Sequence, residues 1–109
     1  MESASRREKI EAMLADEPHD TFLRYSLAME LEKEGEHEAS LERFRELMAD
    51  QPPHIPAFFM AAKLLMRLRD IEGARSILRE GIEQARLQGN LHAASEMGEL
   101  LMALGAQQP

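Results

Sequence analysis

The sequence predicts an all-α protein, an α-solenoid of six antiparallel helices in one domain spanning residues 1–109. Valine is absent and Thr21 is the only threonine, whereas Leu, Glu, Ala, Met and Arg abound. This composition favours helix and provides few residues for a β-sheet. Capping and helix-breaking residues also divide the chain into six helix-sized pieces, and the chain repeats itself with a period of 34 residues.

Capping residues and a proline bound the first two helices. Ser5 and Glu8 have the spacing of a capping box. Pro18 ends the helix that they open, since its ring cannot continue a helix. Asp20 is a suitable N-cap for the second helix. Gly35 is placed to end that helix in the left-handed conformation.

Pro52 and Pro53 separate the third helix from the fourth. The third is predicted from about residue 37 to 49. Pro56 suits the first turn of the fourth helix, which is predicted to reach Leu68. The short connections predict antiparallel neighbours.

The last two helices begin at polar caps. Asp70 is the predicted cap of the fifth helix, which ends before Gly89. Asn90 is the predicted cap of the sixth, which is expected to end near Leu104, before Gly105.

The internal repeat determines how these helices are arranged. A shift of 34 residues places Ile10 on Phe44 and Pro18 on Pro52. A shift of 36 superimposes the segment KLLMRL on ELLMAL. Two helices per period indicate a solenoid rather than a closed bundle.

This pattern resembles the tetratricopeptide repeat family, in which each repeat is a pair of helices, A and B. Repeat one would span 21–54 and repeat two 55–88, with an orphan B helix at 5–15 and an orphan A helix at 90–104. The resemblance covers about residues 5–104, the part expected to be ordered. The signature places are held by Leu27, Ala28, Leu31, Ser40, Phe44, Leu47 and Pro52 in repeat one, and by Phe58, Ala61, Ala62, Leu65, Ala74, Leu78 and Gly81 in repeat two.

Small residues are interpreted as points where helices A and B approach closely. Ala28, Ala62 and Gly98 are the three that we assign to this role, with Phe44 and Leu78 filling the space above them. Ser40 stands where the family usually has alanine, Arg24 where it has an aromatic residue, and Arg86 where it has proline.

No catalytic, metal-binding or cofactor-binding pattern is found. The chain has no cysteine, which excludes a disulfide, a thiol nucleophile and a thiolate metal site. The four histidines are scattered, and Glu34 and His37, although spaced like a metal-binding pair, have the turn residue Gly35 between them. There is no serine elbow or glycine-rich phosphate loop. We therefore expect a protein that is not an enzyme.

The charge distribution limits the class of partner. The formal net charge is −7, and the acidic excess lies in the N-terminal half. This charge argues against nucleic acid as a partner. The Glu-rich stretch is either a solvated helix face or a docking surface for a basic partner. The longest apolar run, residues 57–62, is too short to cross a membrane, so no membrane contact and a cytoplasmic location are expected.

The family resemblance implies a concave groove lined by the A helices. The residues that it places there are Phe22, Tyr25, Ser26, Met29, Lys33, Phe59, Met60, Lys63, Met66 and Arg67, with Ser95, Glu96, Glu99 and Met102 on the sixth helix. An aromatic and Met-rich groove with bases at its edge suits a peptide with apolar anchors and an acidic group. Alternatively, these residues only pack between neighbouring A helices. The carboxylate clamp known in the family is not matched, because Tyr25 and Met29 occupy its places.

The sixth helix is apolar around much of its circumference, although a terminal repeat normally has a polar outer face. Leu100, Met102 and Leu104 are therefore a candidate face for a two-fold homodimer, unless the fifth helix shields them. The sequence thus predicts a non-catalytic protein-binding or scaffold module whose partner is a protein or peptide. The alternative is a self-assembly unit formed through the sixth helix.

Overall fold

The computed structural model describes residues 4–106, and within this range every regular element is an α-helix. The six helices, in chain order, are α1 (Arg6–Asp16), α2 (Thr21–Lys33), α3 (His37–Met48), α4 (Ile55–Arg67), α5 (Ile71–Leu87) and α6 (Leu91–Ala106). The predicted all-α architecture is confirmed.

Short-range hydrogen bonds start the helices where the sequence predicts. The Ser5 hydroxyl accepts from the Glu8 N–H at 3.0 Å, and the Glu8 carboxylate accepts from the Ser5 N–H at 2.8 Å, which completes the capping box. Asp20, Asp70 and Asn90 each accept from the N–H three residues onward, at 2.9, 2.9 and 3.1 Å. These caps satisfy N–H groups that the first helical turn leaves unpaired.

Two glycines end helices in the left-handed region. Gly35 has φ +81° after α2, and Gly89 has φ +76° after α5. Glycine adopts this conformation without the steric cost that a Cβ would impose. Each turn therefore reverses the chain within a few residues, and consecutive helices pack as neighbours.

The helices stack in sequence order into an elongated body of 54 × 31 × 18 Å. Each helix packs on the next one along the chain, and α4 also touches α6. We refer to α2, α4 and α6 as A helices and to α1, α3 and α5 as B helices. The fully buried large side chains lie on α3 to α6, among them Phe44, Phe58 and Leu78.

Ser40 shows why a polar residue is tolerated at a small-residue position. It is fully buried between α3 and α2, and its hydroxyl donates to the Ala28 carbonyl oxygen at 2.7 Å. A buried hydroxyl with a hydrogen-bond partner avoids the desolvation penalty of an unpaired one. This departure from the family pattern therefore leaves the repeat intact.

The predicted close approaches are only partly right. Ala28 and Ala62 are fully buried, as expected. The prediction of a close helix–helix contact at Gly98 is wrong, because a Cβ placed there would meet nothing within 4 Å. The tight contact lies instead at Gly81, where a Cβ would be 2.7 Å from Met97 Sδ and 2.7 Å from a Phe58 side-chain atom. The reason is that α5 passes between α4 and α6, whereas no helix in the described range covers Gly98.

The end of α6 also differs from the prediction. The helix continues past Leu104 and Gly105 to Ala106. The Leu104 side chain is fully buried, and the Arg75 guanidinium donates to the Leu104 carbonyl oxygen at 3.0 Å. This tertiary contact anchors the last turn on α5, so Gly105 does not end the helix.

A separate, smaller apolar cluster attaches α1 to α2. Ile10, Leu27 and Leu31 form it, with Leu14 packed against them. Arg6 pairs with the buried carboxylate of Glu30 at 3.1 Å. The N-terminal helix is therefore held by its own cluster and lies outside the main core.

Candidate functional site

An apolar cavity of about 350 Å³ opens on the A-helix side of the stack, between α4 and α6. Its walls are Tyr25 from α2, four residues from the start of α4, and five from α6 and its cap: Ile55, Pro56, Phe59, Met60, Asn90, His92, Ala93, Glu96 and Met97. A concave, mostly apolar site with a few polar groups at its edge is the usual form of a binding pocket.

Tyr25 is held at the cavity by two aromatic contacts. Its ring centroid lies 5.8 Å from that of Phe44 and 5.2 Å from that of His54, and both pairs are edge-on. Burial raises the pKa of the Tyr25 phenol and lowers the pKa of the His54 imidazole. Burial therefore disfavours the charged form of both rings, and Tyr25 itself lines the cavity.

The structure brings together only some of the predicted groove residues. Tyr25, Phe59 and Met60 line the cavity together. Met29 and Met66 are half-buried against the main core, as the three cavity residues are, but they do not line the cavity.

The remaining predicted groove residues lie outside the cavity wall. Phe22 is 73% exposed at the start of α2. Lys63 places its ammonium 5.3 Å from the centroid of the Phe59 ring, a cation–π contact at the edge of the site. Arg67 pairs with Glu32 of α2.

Two of the bases expected at the groove edge, Lys33 and Arg67, are paired with carboxylates. Lys33 donates to the Glu30 carboxylate at 3.2 Å. Glu32 accepts from Arg67 and contacts His37 Nδ1 at 2.7 Å. The cavity wall itself contributes one carboxylate, that of Glu96, which lies 3.5 Å from His92 Nε2.

Sequence reasoning missed most of the α6 wall. Of the four residues that it placed in the groove on this helix, only Glu96 lines the cavity. Ser95, Glu99 and Met102 line a groove on the opposite side of α6. The 36-residue repeat shift could have indicated Ala93 and Met97 as inward-facing residues. They correspond to Ala57 and Ala61 of α4, which are fully buried in the stack.

A second, polar cavity of about 630 Å³ lies at the loop end of α2 and α4. Arg24 and Asp50 face each other there through two hydrogen bonds of 2.7 and 3.2 Å, and this pairing raises the pKa of Arg24. Both groups are thus occupied with each other. Within residues 4–106, no group of three His, Asp or Glu side chains is placed to hold a metal ion.

The predicted dimer face is wrong at one of its three residues. Leu104 is fully buried against α5 and cannot present its side chain to a second chain. Leu100 is half-buried and packs on the main core. Met102 is 77% exposed. The α6 surface is thus narrower than the apolar pattern indicates, because α5 already covers one side.

Fold and cavity together define a helical-repeat protein with an apolar site on its A-helix face. A tetratricopeptide repeat family model matches residues 31–96, more than half of the chain. The chain belongs to the tetratricopeptide repeat family, and the resemblance stated from the sequence is confirmed. Proteins of this family serve in general as protein–protein interaction scaffolds.

Two solved structures share the fold. The solution NMR structure of a tetratricopeptide repeat domain protein from Salinibacter ruber has a TM-score of 0.78 and 30% sequence identity, covering 84% of this chain and 92% of that one. The solution structure of a protein from Bordetella parapertussis has a TM-score of 0.81 and 25% identity, covering 96% and 91%. No curated protein matches the sequence significantly. Within the described residues, no helix is both long enough and apolar enough to cross a membrane.

Proposed function

We propose that this protein is a non-catalytic interaction module that binds a peptide segment of a partner protein on the concave face of its A helices. The segment inserts one apolar side chain into the cavity between α4 and α6. A cytoplasmic location remains a prediction from the sequence.

The observation that carries the proposal is the apolar cavity bordered by Tyr25, Phe59 and Met60. Its volume of about 350 Å³ exceeds that of one side chain and lies at the lower end of the range for small-ligand sites, about 300–1,000 Å³. Met60 adds a flexible, polarizable surface that adapts to different apolar anchors.

The rim supports a preference for a base next to the anchor. Glu96 borders the cavity on the α6 side, and a lysine or arginine of the peptide could pair with it. Lys63 lies across the Phe59 ring on the α4 side. A bound peptide could place its basic side chain toward Glu96 on α6 and its backbone toward Lys63 on α4.

The test is affinity capture from extract of the source cells, with wild type beside Phe59→Asp and bound proteins identified by mass spectrometry. A carboxylate in the cavity would repel an apolar anchor. We expect a partner that wild type retains and Phe59→Asp loses. Recovered partners are then screened as short synthetic peptides to locate the anchor.

Leu87→Asp is the matched control, since Leu87 is an exposed apolar residue of α5 that does not line the cavity. It should retain the partner. Thermal unfolding of both variants separates lost binding from lost folding. Equal recovery by wild type and a folded Phe59→Asp would contradict the proposal.

Self-association through α6 is the second candidate function, and exposed Met102 is the observation that favours it. Its two-fold form, in which α6 pairs with α6 of another copy, is decided by the experiment described in the next subsection.

A further inference from the structure

The second groove of the molecule, between α5 and α6, has a volume of about 710 Å³. Leu91 and Met102 of α6, which are 69% and 77% exposed, border it. Gly98 lies between them, with open space where a Cβ would be. Within residues 4–106 no helix occupies this groove.

The repeat register shows which element belongs in such a groove. Gly98 corresponds to Ala62 and Ala28, both of which are fully buried. Ala28 lies against α3, where the Ser40 hydroxyl donates to its carbonyl oxygen. The groove beside Gly98 is therefore the place of a B helix that follows α6.

The first helix of the chain is a B helix with one side uncovered. Ile10 and Leu14 pack on α2. Met13 lies 34 residues before Leu47, which is fully buried, yet Met13 is 49% exposed. In α3 that position is covered because α3 has an A helix on both sides, whereas in the described range α1 has only α2.

We propose that the groove between α5 and α6 receives α1 of a second copy of this chain, so that α6 and the partner's α1 complete one repeat across two molecules. The association is head to tail, because the two contacting surfaces lie at opposite ends of the stack. It involves a face other than the concave cavity and is independent of peptide binding there.

The direction of the docked helix follows from contacts within the chain. Ser40 bonds to Ala28, so the start of α3 lies beside the small residue of α2. Asp50 pairs with Arg24, so the end of α3 lies beside the start of α2. A second copy's α1 in the equivalent place runs antiparallel to α6, with its first turns near Gly98 and its end near Leu91.

One end of the docked helix meets a complementary charge in this direction. The end of α1 carries Asp16, and the groove carries Arg86 at the end of α5. The start of α1 carries both signs of charge, in Glu8 and Lys9, and the groove is lined by both Glu99 and Arg79, so this end does not select a direction. The reverse direction would remove Asp16 from Arg86.

The size of the contact sets its strength. One 11-residue helix seated on two others buries less than a stable dimer requires, so we expect an interface below about 1,200 Å² and transient association. Because the surfaces differ, each copy retains a free end, and growth continues beyond the dimer.

The test is sedimentation velocity of the full chain up to about 1 mM, where even millimolar affinity populates complexes. Wild type should increase in mean mass beyond that of a dimer as concentration rises. Met13→Lys blocks the α1 surface, and Gly98→Lys blocks the groove. Both positions are uncovered, so both variants should keep the wild-type helical signal. Leu68→Lys, at an exposed position away from both surfaces, should associate like wild type.

Mixing the two blocked variants identifies the geometry. A head-to-tail interface predicts that each variant alone is monomeric and that the mixture forms a 1:1 dimer that grows no further, because one intact surface of each kind remains. A two-fold α6 dimer predicts that Met13→Lys alone still dimerises, which would overturn the proposal. A monomeric wild type at the highest concentration, or a mixture that stays monomeric, would overturn it as well.

Discussion

Replacing Phe44 with alanine tests whether the α2–α3–α4 packing is what holds this solenoid together. Phe44 is almost completely buried, and its ring meets Tyr25 edge-on at 5.8 Å. Truncating a buried phenylalanine costs about 3–5 kcal/mol, because apolar burial is lost and a cavity remains. A domain of this size has an unfolding free energy of about 5–15 kcal/mol. We therefore expect Phe44→Ala to lose a large share of the total stability.

Urea denaturation followed by circular dichroism measures this loss. The midpoint should fall strongly for Phe44→Ala, whereas Leu87→Ala, at an exposed position, should stay within about 0.5 kcal/mol of wild type. Tyr25 loses one of its two ring partners in the variant and keeps His54, so its near-ultraviolet signal should weaken as well. A loss below about 1 kcal/mol would refute the packing argument, since no well-packed site absorbs a missing ring at so small a cost.

Two further predictions rest on contacts at single residues. Gly81→Ala should lower the thermal midpoint, because the new Cβ would lie 2.7 Å from a Phe58 side-chain atom. Gly98→Ala has open space for its Cβ, so its midpoint should stay the same or rise, since alanine favours a helix over glycine by up to about 1 kcal/mol. Equal effects of the two substitutions would contradict the packing described for α5. Burial lowers the pKa of the His54 imidazole beside Tyr25, so on acidification the unfolded chain takes up the proton before the folded one does. The stability that His54 contributes is fully present above about pH 6.5, the ordinary histidine pKa, and is lost as the pH falls toward the lowered pKa of the folded state. The thermal midpoint should therefore fall between about pH 8 and pH 5 by more in wild type than in His54→Phe, and equal falls would argue against His54 as the titrating group.

The helices and their order could be predicted because their signals are local. A cap such as Ser5 or Asp20 acts within one turn, and Gly35 ends a helix through its own backbone conformation. The 34-residue repeat then determines which helices are neighbours. Each of these inferences needs only residues close in sequence or in repeat register.

The candidate site could be predicted only in part. Tyr25, Phe59 and Met60 were assigned to the concave face and do line one cavity. Met29 and Met66 follow the same periodicity, yet they are not part of the cavity wall. Periodicity gives the face of a helix on which a residue lies, but the separation of two neighbouring A helices decides whether that face is open or filled.

The pairing of charged side chains and the burial of residues near the end of α6 also could not be predicted from periodicity. The sequence counts Lys33 and Arg67 as bases at a groove edge, whereas the fold pairs them with Glu30 and Glu32. Leu104 belongs to an apolar stripe that looks exposed until α5 is seen to cover it.

The sequence by itself therefore determined the fold class, the six helices and the family, since capping, helix propensity and repeat periodicity are properties of short segments. Tertiary structure alone decided where the cavity lies, which bases remain available at its edge and which side of α6 stays uncovered. Those features depend on the distance between helices that are far apart in the chain. The contrast between Gly81 and Gly98 illustrates this, since both are helical glycines and only one lies in a close contact.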